Sequence, residues 1–242
     1  MKKPLVLIAL VVVAAIPCIS QKTDPKLPTV SAVDQNAAVA LAKAALAAHG
    51  GDKFKQMKSI VMKGSVDVNV SNQVLPGAFS IAVSGDKYYF EINSVVQSLK
   101  QVCDGQTTYS SMNPFELPPL TSVGFAVLAR VGDAGYAITP YGDDKKKRKG
   151  FRITAPDGFY TDFFVDEKTG QVKGYDSAFD TGQRRVTTSV EIDQVETVDG
   201  VVIPKKYSQR FDLGGLTAYA SFNTKDIKVN PPMDDSAFAI PH

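Results

Sequence analysis

From Ser59 to Val229 apolar side chains recur at every second position in one segment after another, a period that only a half-buried β-strand produces. In the first segment Ile60, Met62, Val66, Val68 and Val70 point one way, with Gly64 interrupting them, while Lys63, Ser65, Asp67 and Asn69 point the other. Phe79, Ile81 and Val83 then alternate with Ala78, Ser80 and Ala82, and Tyr88, Phe90 and Ile92 with Tyr89, Glu91 and Asn93. One apolar face and one wet face is the signature of an antiparallel meander. Turns are predicted at Val74-Leu75-Pro76-Gly77 and Ser84-Gly85-Asp86-Lys87, and a further strand pair around Asp104-Gly105. After an interruption the pattern resumes over 151–153, 159–165, 172–179, 185–195, 202–211 and 217–229. Tight hairpins are expected within 166–170 and 198–201. Pro204 breaks its run, so that strand is expected to begin near Lys205 or to lie at an edge.

Two segments carry helical spacing instead. Residues 32–48 form a predicted helix with Asp34 as candidate N-cap, eight alanines between Ala37 and Ala48, and His49-Gly50-Gly51 as its stop. Leu41, Ala45 and Ala48 share a face with Ala38, a shallow stripe suited to close packing on a sheet. Leu120, Val123, Val127, Leu128 and Val131 repeat the spacing between Pro118-Pro119 and Gly132-Asp133. About ten strands in one sheet must curl. With helices for only one face, the predicted class is α+β, mainly antiparallel β. Its form is a strongly curved, unclosed β-barrel with a helical lid on its concave face. The tail 229–241, with three prolines, reads as a strap ending on Phe238.

The beginning of the chain bounds where this fold works. Lys2 and Lys3 precede an apolar run of twelve residues from Leu5 to Ile16, followed by small and polar residues to Ser20. That pattern predicts a cleaved export signal over 1–20, a leader over 21–31 and a single domain over 32–242. The run falls short of the roughly 20 residues that a membrane-spanning helix needs. The predicted location is the periplasm; the alternative is a lipid anchor on Cys18. An exported protein meets no ATP pool, reduced nicotinamide or chromosome. Without Lys2 and Lys3 the chain has 25 basic and 25 acidic residues, a balance with no electrostatic footprint for nucleic acid.

Chemistry-bearing residues are sparse. Cys103 reads as a small buried hydrophobe, and His49 as a cation at a helix end. With no other histidine before His242, no His/Cys cluster exists for a metal, and no cofactor is predicted. The carboxylate pairs Asp143-Asp144, Asp166-Glu167 and Asp234-Asp235 are adjacent in loops, where they do not acquire the contrasting environments of acid–base pairs. The chain is therefore read as a binding protein and not an enzyme. Lys145, Lys146, Lys147, Arg148 and Lys149 form a solvated hairpin tip, or a contact for anionic lipid headgroups.

Four landmarks together resemble a known group. They are Ala47-Ala48-His49-Gly50-Gly51 with Met57-Lys58-Ser59-Ile60, the hairpin Val165 to Gly170, the run Val198 to Pro204, and the ending Val229 to Phe238. In these the chain resembles exported outer-membrane lipoprotein-sorting-like proteins of the LolA/LolB-like superfamily of periplasmic carriers. The resemblance implies an unclosed barrel with a helical lid over an apolar cavity that holds or shuttles lipid acyl chains or lipoproteins. The candidate lining is Ile60, Met62, Val66, Val68, Phe79, Ile81, Phe90 and Ile92 from one part of the sheet, Tyr207, Phe211 and Phe222 from the other, and Leu120, Val123, Val127 and Leu128 from the lid. Two fillings of the concave face satisfy this pattern. A cavity makes a carrier; a filled core makes an envelope interaction or sensor protein with no lipid cargo.

Overall fold

The computed structural model describes residues 32–70, 73–95, 98–111, 123–143, 148–180, 185–212 and 217–241. The predicted export signal and leader, Cys18, Leu120 and Lys145 to Lys147 lie outside the described residues.

Twelve antiparallel strands form one sheet. The first five are β1 (Ser59–Val70), β2 (Gln73–Ser84), β3 (Lys87–Ser94), β4 (Ser98–Cys103) and β5 (Thr108–Ser110). The rest are β6 (Ala137–Asp143), β7 (Arg148–Thr154), β8 (Tyr160–Val165), β9 (Val172–Asp180), β10 (Arg185–Val198), β11 (Val201–Asp212) and β12 (Thr217–Val229). Their order is β5-β4-β3-β2-β1-β12-β11-β10-β9-β8-β7-β6. The chain thus starts in the middle, meanders out to one edge, crosses to the other edge, and meanders back to pair its last strand with its first. Among the described residues β5 and β6 are unpaired edges, so the sheet is a curved half-barrel and not a closed barrel. Pro140 sits in edge strand β6, where a missing N–H is tolerated.

The one connection that cannot be a hairpin, between β5 and β6, must bridge the two edges. It includes a six-residue 3-10 helix, Phe125–Arg130, with Val127 and Leu128 fully buried. The expected α-helix over this stretch is therefore corrected. Gly124, at φ 82, stands outside helical geometry and starts a tighter, shorter element. Helix α1 (Ala32–Ala48) buries Ala38, Ala42 and Ala45 in the core shared with Ile138, Phe151 and Ile153 of β6 and β7. Its alanines allow the close approach the sequence implied. Asp34 lies inside its first turn, beside the positive end of the helix dipole, and not before it.

Alternation along β1 holds as expected. Ile60, Met62 and Val66 are buried in the main core, Val68 packs against it, and Lys63 and Asp67 are exposed. Met62 is 8% exposed and borders a cavity, so Met62→Ala should cost about 2 kcal/mol, the low end for a buried methionine whose surroundings are already partly empty. Urea unfolding followed by circular dichroism checks this; a loss under about 0.5 kcal/mol would place the side chain outside the core.

Two turn expectations change. Val74 to Gly77 belong to β2, paired with Asn69 to Val66. Pro76 is tolerated there because pairing with β3 begins only at Gly77. Likewise β11 runs through Pro204, which faces Val195 beside a register shift in β10; pairing of β11 with β12 begins at Lys206. Pro204 is thus at a local edge of a central strand.

The tail forms the expected strap. Asn230 Oδ1 accepts from Lys58 N at 2.7 Å, Ser59 Oγ donates to Pro231 O at 2.9 Å, and Asp234 caps a short 3-10 turn. Phe238 then enters a second, smaller core with Ala82 and Val102 on the opposite face of the sheet.

Candidate functional site

The concave face is divided. Under α1 it is solid, with Phe151, Ile153 and Phe163 fully buried. Between β1–β3 and β9–β12, beneath the crossover, it encloses a cavity of about 220 Å³. For comparison, an apolar cavity of ~150 Å³ admits benzene. Packed core and cavity thus both occur on this face.

The cavity is built from both arms of the sheet. Ile60 and Met62 (β1), Ile81 and Val83 (β2) and Phe90 (β3) line one side. Val190 (β10), Ile203, Tyr207 and Phe211 (β11) and Phe222 (β12) line the other. Tyr207 stacks on Phe222 at 4.7 Å between ring centroids, and Phe222 meets Phe79 edge-on at 5.1 Å. Gly64 allows the second contact: a Cβ there would stand 2.9 Å from the Phe79 ring.

The roof comes from the crossover and from α2 (Asp52–Lys55), which buries Phe54. Phe125 is its centre, with ring centroids 5.0 Å from His49, 5.6 Å from Phe54 and 6.5 Å from Tyr175. The roof is fastened at both ends. Gly124 N–H donates to Thr161 Oγ1 at 2.9 Å, and Lys55 Nζ donates to Val131 O at 3.0 Å and Asp133 Oδ1 at 2.7 Å. Ala126 is exposed and also borders the cavity, marking its opening.

His49 locks this roof to the sheet. Val172 N–H donates to its Nε2 at 3.0 Å, so Nδ1 carries the ring proton and donates to Val202 O at 2.8 Å. Burial holds its pKa below the ordinary 6.5, against the opposing bond to Val202. The expected helix-end cation is thus corrected to a neutral, fully buried staple. Gly50, at φ 112, packs against Gly200, and Gly170 packs against Ala44 and Ala48. Three of the four landmarks thus meet at one junction, which places Ile203 and Pro204 in the cavity wall.

Of the expected lining residues, Ile60, Met62, Ile81, Phe90, Val123, Tyr207, Phe211 and Phe222 border the cavity. Val66, Phe79, Ile92, Val127 and Leu128 are buried in the surrounding core, and Val68 packs against that core. Phe54, Met57, Phe125 and Tyr175 border the cavity without having been counted in the candidate lining. Only Phe125, beside the lid stripe, carried a signal that could have found it. The alanines of α1 do not border the cavity.

Among the described residues no Lys, Arg, His, Asp or Glu lines it. Tyr175 and Tyr207 are held neutral, burial pushing both phenols up. Other chemistry-bearing groups are structural. Asp162, its pKa raised by burial, takes a bidentate bond from Arg152 at 2.6 and 2.8 Å, and the guanidinium lies 4.0 Å over Tyr160. Asp166 accepts from Lys168 N and Thr169 N in a turn. Cys103 is buried. Among the described residues no cluster of His, Cys, Asp and Glu could hold a metal. At the basic tip, Arg148 pairs with Glu191 at 2.6 Å and Lys149 with Glu167 at 2.9 Å.

No family model matches the chain, and no curated protein matches it in sequence. Among solved structures it is similar to a DUF1329 family protein from Desulfovibrio piger, at 12% identity and TM-score 0.49 over 85% of this chain and 97% of the other. It is similar also to a LolA superfamily protein from Nitrosomonas europaea (11%, TM-score 0.49, 81% and 97%). A third is an outer-membrane lipoprotein-sorting protein domain from Vibrio parahaemolyticus (9%, TM-score 0.46, 84% and 97%). The likeness is one of fold; the functional argument rests on the cavity.

Proposed function

We propose that this protein is an exported, non-enzymatic carrier that holds the apolar chains of lipids or lipoproteins in the cell envelope. One observation carries the reading: a cavity of about 220 Å³ between the arms of the half-barrel, lined by no charged side chain among the described residues, roofed by a tethered crossover and opening beside Ala126. Core packing closes voids of this size because empty space forfeits dispersion contacts. A chain that builds aromatic walls around such a void and fastens a roof over it favours an apolar occupant. The predicted export signal fits a carrier that works between membranes.

Delipidated protein should bind fluorophore-labelled alkyl chains saturably. Each CH₂ taken up adds up to ~0.8 kcal/mol, so affinity should climb with chain length and level off when the cavity is full. Ala126→Trp should block uptake while leaving the fold intact, since Ala126 borders the opening and is exposed. Val127 is unsuitable for this purpose: it is fully buried outside the cavity, and a charge there would unfold the crossover. Absence of saturable binding at every length would overturn the carrier and leave the sensor reading.

A further inference from the structure

Polar side chains interrupt the apolar concave face beside the cavity. Thr161 of β8 lies directly opposite Ser177 of β9, and Ser177 directly opposite Thr188 of β10. Gln209 of β11 donates from Nε2 to Thr188 Oγ1 at 2.9 Å. Four side chains thus make a lane across four adjacent strands, and Ser177, Thr188 and Gln209 line the cavity. Ser177 is 3% exposed and Thr161 fully enclosed, while Thr188 and Gln209 are half-buried.

Its hydrogen bonds do not balance internally. Thr161 Oγ1 already accepts from Gly124 N–H, and the 3.2 Å link between Thr161 and Ser177 uses only one of their two hydroxyl protons. The Thr188 hydroxyl accepts from Gln209, which leaves its own proton, and the Gln209 carbonyl oxygen, without a partner among the described residues. Hydroxyls placed in the wall of an apolar cavity cost stability unless something bonds to them, and valine would fill the same space without that cost.

Resting on the carrier reading, we infer that this lane receives the neutral polar group of the cargo, an ester or alcohol of an acyl-bearing lipid. An ester oxygen accepts the spare hydroxyl protons, and an alcohol also donates to Gln209. A carboxylate or phosphate finds no cation among the described lining residues, and its desolvation outweighs what neutral donors return. A fatty-acid anion is left to enter tail-first with its charge at the mouth and the lane unused.

Competition on the full domain tests this. A fluorescent alkyl probe is bound, then displaced at about pH 8 by a monoacylglycerol or by the fatty acid of equal chain length, where the acid is ionised. The monoacylglycerol should displace at about tenfold lower concentration, the worth of one or two net hydrogen bonds. Ser177→Ala and Thr188→Val should shrink that preference to under about threefold, and any change in the affinity for the probe cancels in the ratio of the two competitors. Equal or tighter displacement by the anion, or variants that keep the preference, would overturn the inference and leave the carrier standing. A probe that does not bind at all overturns both.

Discussion

Gly64→Ala should destabilise the domain by about 3 kcal/mol or more, a large effect for a single methyl group. The added Cβ would stand 2.1 Å from Asn223 O and 2.9 Å from the Phe79 ring. The first of these is backbone, which cannot swing aside. The register between β1 and β12 shifts at Lys63/Gly64, so the two arms of the half-barrel are joined at a point with no room for a side chain. Asp67→Ala, three residues along on the exposed face, should change stability by less than about 0.5 kcal/mol. The chain lacks tryptophan, so urea midpoints are read by circular dichroism. A loss below about 1 kcal/mol at Gly64 would show that the junction opens easily and that the close approach is not a requirement of the fold.

His49→Phe should cost about 2–5 kcal/mol near neutral pH, because Val172 N–H and Val202 O would be left buried without their ring partner, at ~1–3 kcal/mol each. The effect carries a pH signature. His49 is held below 6.5 in the folded state, so below that pH the unfolded chain takes up a proton that the folded chain refuses. The staple's contribution is therefore complete above about pH 6.5 and declines as pH falls towards the folded value. The stability gap between wild type and variant should accordingly narrow from about pH 7.5 to about pH 5.5, and taking the difference cancels the other titrating groups. A gap that stays constant would mean that the ring is not held neutral between Val172 and Val202.

Strand faces and most hairpin positions were legible because each follows from neighbours in sequence, whereas about ten strands were expected and twelve are present. Ile60, Met62, Phe90 and Ile92 face the core as their spacing requires, and Gly85 and Asp104-Gly105 turn the chain where expected. Proline misled twice. At Pro76 and Pro204 the strand continues, because whether a missing N–H matters depends on which neighbour is absent there, which local sequence does not state. Helical spacing at Val123, Val127 and Leu128 identified buried residues but not the helix type, which Gly124 decides through its backbone.

The cavity was the least legible part. Valine, isoleucine and phenylalanine read the same whether they touch one another or enclose space, since burial follows from period while filling follows from the distance between arms. Phe54, Phe125 and Tyr175 reach one place from three separate segments only after the crossover is laid down. Thr161, Ser177, Thr188 and Gln209 look like ordinary polar strand residues until the registers of β8, β9 and β10 set three of them in line and Gln209 bonds to the last. The alternation, the shallow helix stripe and the glycine-bearing turns could be read without the fold, because these are properties of contiguous chain. Pairing of β1 with β12, the stapling of two distant turns by His49, and the cavity left beneath the crossover were set by the tertiary structure. Those outcomes depend on contacts between residues more than a hundred positions apart, which no local period encodes.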